Sequence, residues 1–197
     1  MQRSQAKFYS CDVLNVFLRI KPIKSRARMA LETGLGEGSV RSVLAILKEK
    51  GLIESAKQGH YLTEVGEEWY TKLKRALVMK DSIKVSGIKS NSIVCLHLRP
   101  PTTPKPSYML RDIAVRWGAS GALIFYYTGQ ELVLPPSKTP DYGEDYSALK
   151  KTFDLKRGDY VIVVWGSNKL DVVSGALSIA AELSTTVSDF LSLVAQS

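Results

Sequence analysis

Val40, Val43, Leu44 and Leu47 recur at i, i+3, i+4 and i+7, between the turn Gly34-Leu35-Gly36-Glu37-Gly38 and the glycine at position 51. That spacing puts all four on one face of a helix expected from about Gly38 to Lys50. A helix with a single apolar stripe must bury it against neighbouring elements, so this segment requires a core around it. Its opposite face carries Ser42, Ala45 and Glu49, with Ser39, Arg41 and Lys48 on the flanks. The elements before and after the helix must supply its partners.

Upstream, Ser10 is placed to cap a helix to about Ile20, with Val13, Leu14, Phe17 and Ile20 inward and Asp12, Asn15 and Arg19 outward. Lys21-Pro22 ends it, because proline removes a helical donor and restricts the residue before it. Ser25 caps a short second helix with Ala27, Ala30 and Leu31 expected inward, Gly34 as its left-handed stop, and Leu35 buried in the turn. Downstream, Leu52–Ser55 and Tyr61–Thr63 read as two strands around a basic, glycine-bearing tip at Ala56–His60. Thr63 caps a fourth helix to about Leu77, acidic at its start and basic at its end as the helix dipole favours.

The rest of the chain alternates strands and helices. A possible strand at Ile83–Val85 and a strong one at Ile93–Leu98 precede the proline-rich connector Pro100–Pro106. A helix capped by Ser107 runs to about Trp117, followed by a hairpin of Ala122–Tyr127 and Glu131–Leu134. After a polar loop at Pro135–Glu144 come a helix at Asp145–Phe153 and the apolar run Tyr160–Trp165. That run lacks alternation and so reads as a central strand. Two helices, to about Leu183 and from Thr186 to Ala195, complete the chain. The expected class is α+β, with a C-terminal α/β domain whose mixed sheet is flanked by helices.

Charge divides the chain more sharply than composition does. Residues 1–80 carry a balance of +7 and residues 81–197 a balance of +1, within a total of +8. A basic half joined to a near-neutral half suggests a polyanion-binding module attached to something else. No apolar run approaches the roughly 20 residues that span a bilayer, so no membrane association is expected. Two cysteines 84 positions apart and two histidines argue against disulfides and a Cys/His metal site, leaving a reducing cytoplasm as the expected compartment. Nucleotide, hydrolase and metalloprotease motifs are absent, and His97 alternates with apolar strand residues as a structural histidine would. No cofactor, no metal and no catalytic residue are expected.

The order helix, helix, glycine turn, helix, hairpin, helix over residues 10–78 resembles a winged helix-turn-helix domain. The likeness is carried by Ala30–Leu35, by Val40–Ile53 ending in Lys50-Gly51-Leu52-Ile53, and by Gly59–Gly66. Gly34–Arg41, Gly59–Thr63, Leu110-Arg111-Asp112, Gly121–Ile124 and Gly158–Trp165, in that order, extend the resemblance. The longer match is to an archaeal two-domain family with an N-terminal winged helix and a C-terminal domain of unknown function. It implies a cytoplasmic transcription regulator and supplies no catalytic or ligand residues.

The expected domains are therefore 1–80, binding double-stranded DNA, and 81–197, binding a small-molecule effector or forming a homodimer. Ser39, Arg41, Ser42, Ala45 and Lys48 would face the major groove. Lys57, Gln58 and His60 would reach the backbone or minor groove, and Arg26 and Arg28 a phosphate. Trp165, Ser167 and Asn168, at the junction of a strand and a helix start, are the candidate effector residues; helix capping by one of them is the simpler role. Two other readings stay open: a nucleotide- or phosphate-using enzyme fused to a winged helix, and a winged helix serving protein interaction.

Overall fold

The structure, a computed structural model, describes residues 8–81, 83–99, 105–135 and 146–195. It divides into two compact units. One runs to Arg75 and is completed by the segment from Thr186 onward; the other is Ala76–Thr185. The break expected at 80/81 thus lies a few residues earlier, and the last helix, expected in the second domain, belongs to the first. The physical reason is aromatic packing. Phe190, fully buried, stacks on Phe17 at 4.8 Å between ring centroids and meets Trp69 edge-on at 5.7 Å.

In the first unit, α1 (Ser10–Leu18) is buried along its length from Cys11 to Leu18. The expected cap at Ser10 moves one residue: Tyr9 is the N-cap, and its N–H donates to Asp12 Oδ2 at 2.8 Å. Asp12 and Asn15, expected on a solvent face, are enclosed instead. The Asp12 carboxylate accepts that backbone bond and Asn15 Oδ1 accepts from Arg19 Nε at 3.0 Å, while Asn15 Nδ2 is buried with no hydrogen-bond partner among the described residues. Helix α2 (Arg26–Thr33) is capped by Ser25, whose Oγ accepts from Arg28 N, and stops at Gly34 with φ 80°. Its inner face is Met29 and Thr33, not Ala27 and Leu31; Leu31 is 73% exposed. Thr33 tolerates burial by donating its hydroxyl to the Met29 carbonyl at 2.7 Å.

Helix α3 (Glu37–Glu49) buries Val40, Val43, Leu44 and Leu47 as its spacing required. The hairpin of β1 (Ile53–Ala56) and β2 (Gly59–Leu62) follows, then α4 (Glu64–Ala76). Thr63 caps α4 by accepting from Gly66 N while donating to the Gly51 carbonyl. Gly66 is required at that point, since a Cβ there would sit 1.9 Å from the Leu52 carbonyl oxygen. Helix α8 (Thr185–Ala195) contributes Val187, Phe190 and Val194 to the same core.

The second unit is a five-stranded sheet in the order β3-β4-β7-β5-β6. Its strands are β3 (Leu77–Asp81), β4 (Ser92–Leu98), β5 (Gly121–Tyr127), β6 (Leu132–Val133) and β7 (Tyr160–Gly166). The α+β class holds, and β7 is central as its unbroken apolar run required. The sheet is antiparallel at every pairing, where a mixed sheet was expected. The crossover through α5 (Ser107–Arg116) does make β4 and β5 run the same way, but β7 inserts between them, so no parallel pair is hydrogen-bonded. Strand β3 starts at Leu77, where the fourth helix was expected to end, and Ile83–Val85 forms no strand.

One face of this sheet is covered by α5 and α7 (Lys169–Leu183), which approach closely where Gly175 meets Ala114. The other is covered by Val85 and by Leu149 and Phe153 around α6 (Ser147–Thr152), packed on Cys95, Phe125, Val161 and Val163. Ser107 is the first residue of α5 and not its cap, its N–H donating to the Pro135 carbonyl at 2.9 Å. His97 is satisfied: its Nε2 lies 2.6 Å from Asp159 Oδ2, both buried, and the same oxygen accepts from Lys156 N. Most of the Pro100–Pro106 connector, the loop after Pro135 and the expected start of α6 at Asp145 lie outside the described residues. Among those described, no single helix is long and apolar enough to cross a membrane.

The membership of α8 gives a direct prediction. Phe190→Ala removes a buried aromatic side chain, which costs about 3–5 kcal/mol. That loss should appear in denaturant unfolding followed at Trp69, as a lower midpoint for the first unit, although the substitution is more than a hundred residues away in sequence.

Candidate nucleic-acid interface

Because α3 turns Val40, Val43, Leu44 and Leu47 inward, Arg41, Ser42, Ala45 and Lys48 are left exposed, with Ser39 half-buried beside them. Ser42 Oγ donates back to the Gly38 carbonyl at 3.3 Å. The hairpin register then decides what stands next to this face. Ile53 pairs with Leu62, Glu54 with Tyr61, Ser55 with His60 and Ala56 with Gly59, so the turn is only Lys57-Gln58. His60, expected in the tip, is therefore a strand residue, and Ser55 Oγ sits 3.1 Å from its Nδ1.

A bridge between His60 and Lys24 ties the hairpin to the segment just before α2. Gly59 makes that approach possible. Its φ is 140°, and a Cβ would stand 2.5 Å from the Lys24 carbonyl oxygen.

These contacts bring five of the ten expected residues together. Arg26, Arg41, Ala45, Lys48 and His60, with Leu44 and Ser55, line a cavity of about 210 Å³. Lys57 and Gln58 stand apart from it at the exposed hairpin tip, and Ser39 and Ser42 continue the face along α3. Arg28 is exposed and engaged by Glu32, Nε to Oε1 at 2.8 Å. Glu32 also takes Lys24 Nζ at 2.7 Å, and that bond, aided by Arg28, holds its carboxyl below the usual carboxylate range. Glu37 lies 3.4 Å from Arg26 Nε, which is buried and makes no hydrogen bond. Arg41 and Lys48 have no ion pair among the described residues.

Their charge therefore faces solvent and the cavity. Burial, then Lys48, then Arg26 push the His60 imidazole below its ordinary value. Leu44, read from the sequence only as core, also lines the cavity, and Ser55 was missed. A two-residue turn at Lys57-Gln58 would have revealed Ser55, since it sets the Ser55–His60 register.

The three candidate effector residues do not converge. Asn168 caps α7, its Oδ1 accepting from Leu170 N at 2.8 Å and Asp171 N at 3.4 Å. The donors thought free for an anion are thus partly taken. Trp165 lines a separate cavity of about 400 Å³ with Tyr108, Arg111, Asp112 and Val115, in which neither Ser167 nor Asn168 takes part. Cys95 is a buried thiol, pushed up to about 12 by burial and by Asp81. Among the described residues, no three His, Cys, Asp or Glu side chains cluster as metal ligands.

Residues 11–68 match a family model described as PH0730-like, N-terminal domain, and residues 89–183 match one described as a domain of unknown function, DUF4443. A solved structure, the hypothetical protein PH0730 from Pyrococcus horikoshii OT3, is similar over 93% of this chain and 100% of its own, at 27% identity and a TM-score of 0.75. No curated protein matches the sequence. The chain is thus similar to a two-domain family through both of its parts, in the order that the sequence resemblance implied.

Gly59 is the point at which the site's geometry can be tested. Gly59→Ala should lower stability by about 1–3 kcal/mol, from backbone strain at positive φ, and should open the Lys24–His60 bridge. Denaturant unfolding and amide exchange at His60 would measure both effects.

Proposed function

We propose that this protein is a winged helix-turn-helix regulator that binds double-stranded DNA through α3 and the β1–β2 hairpin. The observation that carries the reading is the convergence of Arg26, Arg41, Lys48 and His60 beside the exposed face of α3. Helix α2, the Gly34 turn and α3 form the helix-turn-helix, the hairpin forms the wing, and Lys24 adds the bridge that fixes the wing's base. In this reading α3 lies in the major groove, with Ser39, Ser42 and Ala45 toward base edges and Arg41 and Lys48 toward the flanking backbone. Lys57 and Gln58 at the wing tip reach the neighbouring backbone, and Arg28 exchanges Glu32 for a phosphate.

The basic balance of +7 over residues 1–80 supplies the sequence-independent attraction. The 76–185 unit serves as the sensing or dimerising part of a cytoplasmic homodimer. Its cavity beside Trp165 has a volume within the 300–1,000 Å³ usual for small-molecule sites. The protein is a regulator and not an enzyme in this reading.

Duplex binding should weaken with salt at a slope of about −0.9 in log K per log salt for each phosphate contacted. Arg41→Ala and Lys48→Ala should each make that slope shallower by about one contact while leaving stability within about 0.5 kcal/mol, because both side chains are exposed. Fluorescence anisotropy over a salt series measures this; no duplex binding even at low salt would remove the reading. Anchoring and reading separate at two other positions. Lys57→Ala should weaken all duplexes alike, whereas Ser42→Ala should change which sequence is preferred in a binding-site selection.

A further inference from the structure

We propose that the cavity between α2, α3 and the hairpin seats one backbone phosphate of the duplex, and that seating it draws a proton onto His60. The inference rests on the DNA reading of the same surface and assigns its pH dependence. At about 210 Å³ the cavity is smaller than the sites that hold whole small molecules, so it suits a single group. Its polar lining is cationic or donating: the Arg26 and Arg41 guanidinium groups, the Lys48 ammonium, and the Ser55–His60 pair. Guanidinium groups match phosphate oxygens with paired donors, and Leu44 and Ala45 supply an apolar floor that strengthens such bonds. The Arg26 Nε–H, buried without a hydrogen bond although Glu37 lies 3.4 Å away, is a donor that a phosphate oxygen could satisfy.

His60 is placed to respond to what enters. Its Nδ1 faces Ser55 Oγ, so Nε2 remains for a phosphate oxygen, donating only when that nitrogen carries a proton. The charged groups around it are Arg26, with Glu37 beside it, and Arg41 and Lys48; the paired Lys24 has its ammonium held by Glu32. In the free protein, burial, Lys48 and Arg26 all oppose a charge on the ring. A phosphate in the cavity reverses the sign of that field and stabilises the imidazolium. The complex then holds more protons than the free components, so affinity must rise as pH falls. Each unit by which binding raises the His60 pKa corresponds to about tenfold in affinity between the fully deprotonated and fully protonated limits.

The test is duplex affinity by anisotropy at constant ionic strength, between about pH 5.5 and about pH 8, where an ordinary imidazole titrates. The expected result is binding at least about tenfold tighter at the acidic end, and a flat profile for His60→Gln. A measurement on the unaltered protein guards against a folding defect in that variant. With only two histidines in the chain, the His60 ring signal can be followed by NMR, and its midpoint should move upward on adding duplex. Duplex binding that is flat with pH, a slope retained in His60→Gln, or a His60 midpoint that does not rise would each overturn the phosphate seat and leave the DNA reading standing. No binding at any pH would overturn both.

Discussion

Helix α1 has no solvent face, and the placement of the basic surface follows from that constraint. Phe17 packs on Phe190 and Tyr70, and α3 and α2 also pack against the same helix. With α1 enclosed, α3 has one apolar stripe to satisfy and satisfies it inward. Its polar residues are left in water as a continuous strip. The hairpin reaches this strip because Leu52 and Ile53 are buried immediately after α3, and because Gly59 lets the returning strand approach Lys24.

Gathering four cationic or protonatable groups around a small cavity is electrostatically unfavourable unless something offsets it. Glu32 and Glu37 do so at the margin, engaging Lys24, Arg28 and Arg26. Arg41 and Lys48 remain without such partners among the described residues, and His60 responds by favouring its neutral form. A surface of this kind gains most from a ligand that is itself a line of negative charges, because each phosphate removes repulsion as well as forming hydrogen bonds. The second unit shows a different pattern. Its buried polar pair, His97 and Asp159, is mutually satisfied, and Asn168 is used in capping.

Much of this was legible in local pattern. The α3 stripe, the Ser25 and Thr63 caps, the Gly34 stop and the central position of β7 each follow from a periodicity or a backbone requirement that adjacent residues express. Where the reading diverged, the cause was long-range. Asp12 and Asn15 look like solvent residues until α1 is enclosed on every side. Leu31 looks like a core residue until Met29 and Thr33 take the inner face of so short a helix. The antiparallel sheet depends on β7 inserting between β4 and β5, which no local signal reports. Of the candidate site, the residue types were readable but their convergence was not. The His60–Ser55 register and the Lys24 bridge create the cavity, and both join segments that sequence alone leaves independent.

The central claim is that one contiguous surface, formed by the start of α2, the outer face of α3 and the hairpin, receives duplex DNA. Amide hydrogen exchange of the whole chain, with and without a duplex, tests it most directly. Slowed exchange concentrated around Arg26, from Ser39 to Lys48 and across the hairpin from Ser55 to His60 is the predicted result. Duplex binding that slows exchange in the 76–185 unit and leaves those three segments unchanged would contradict it.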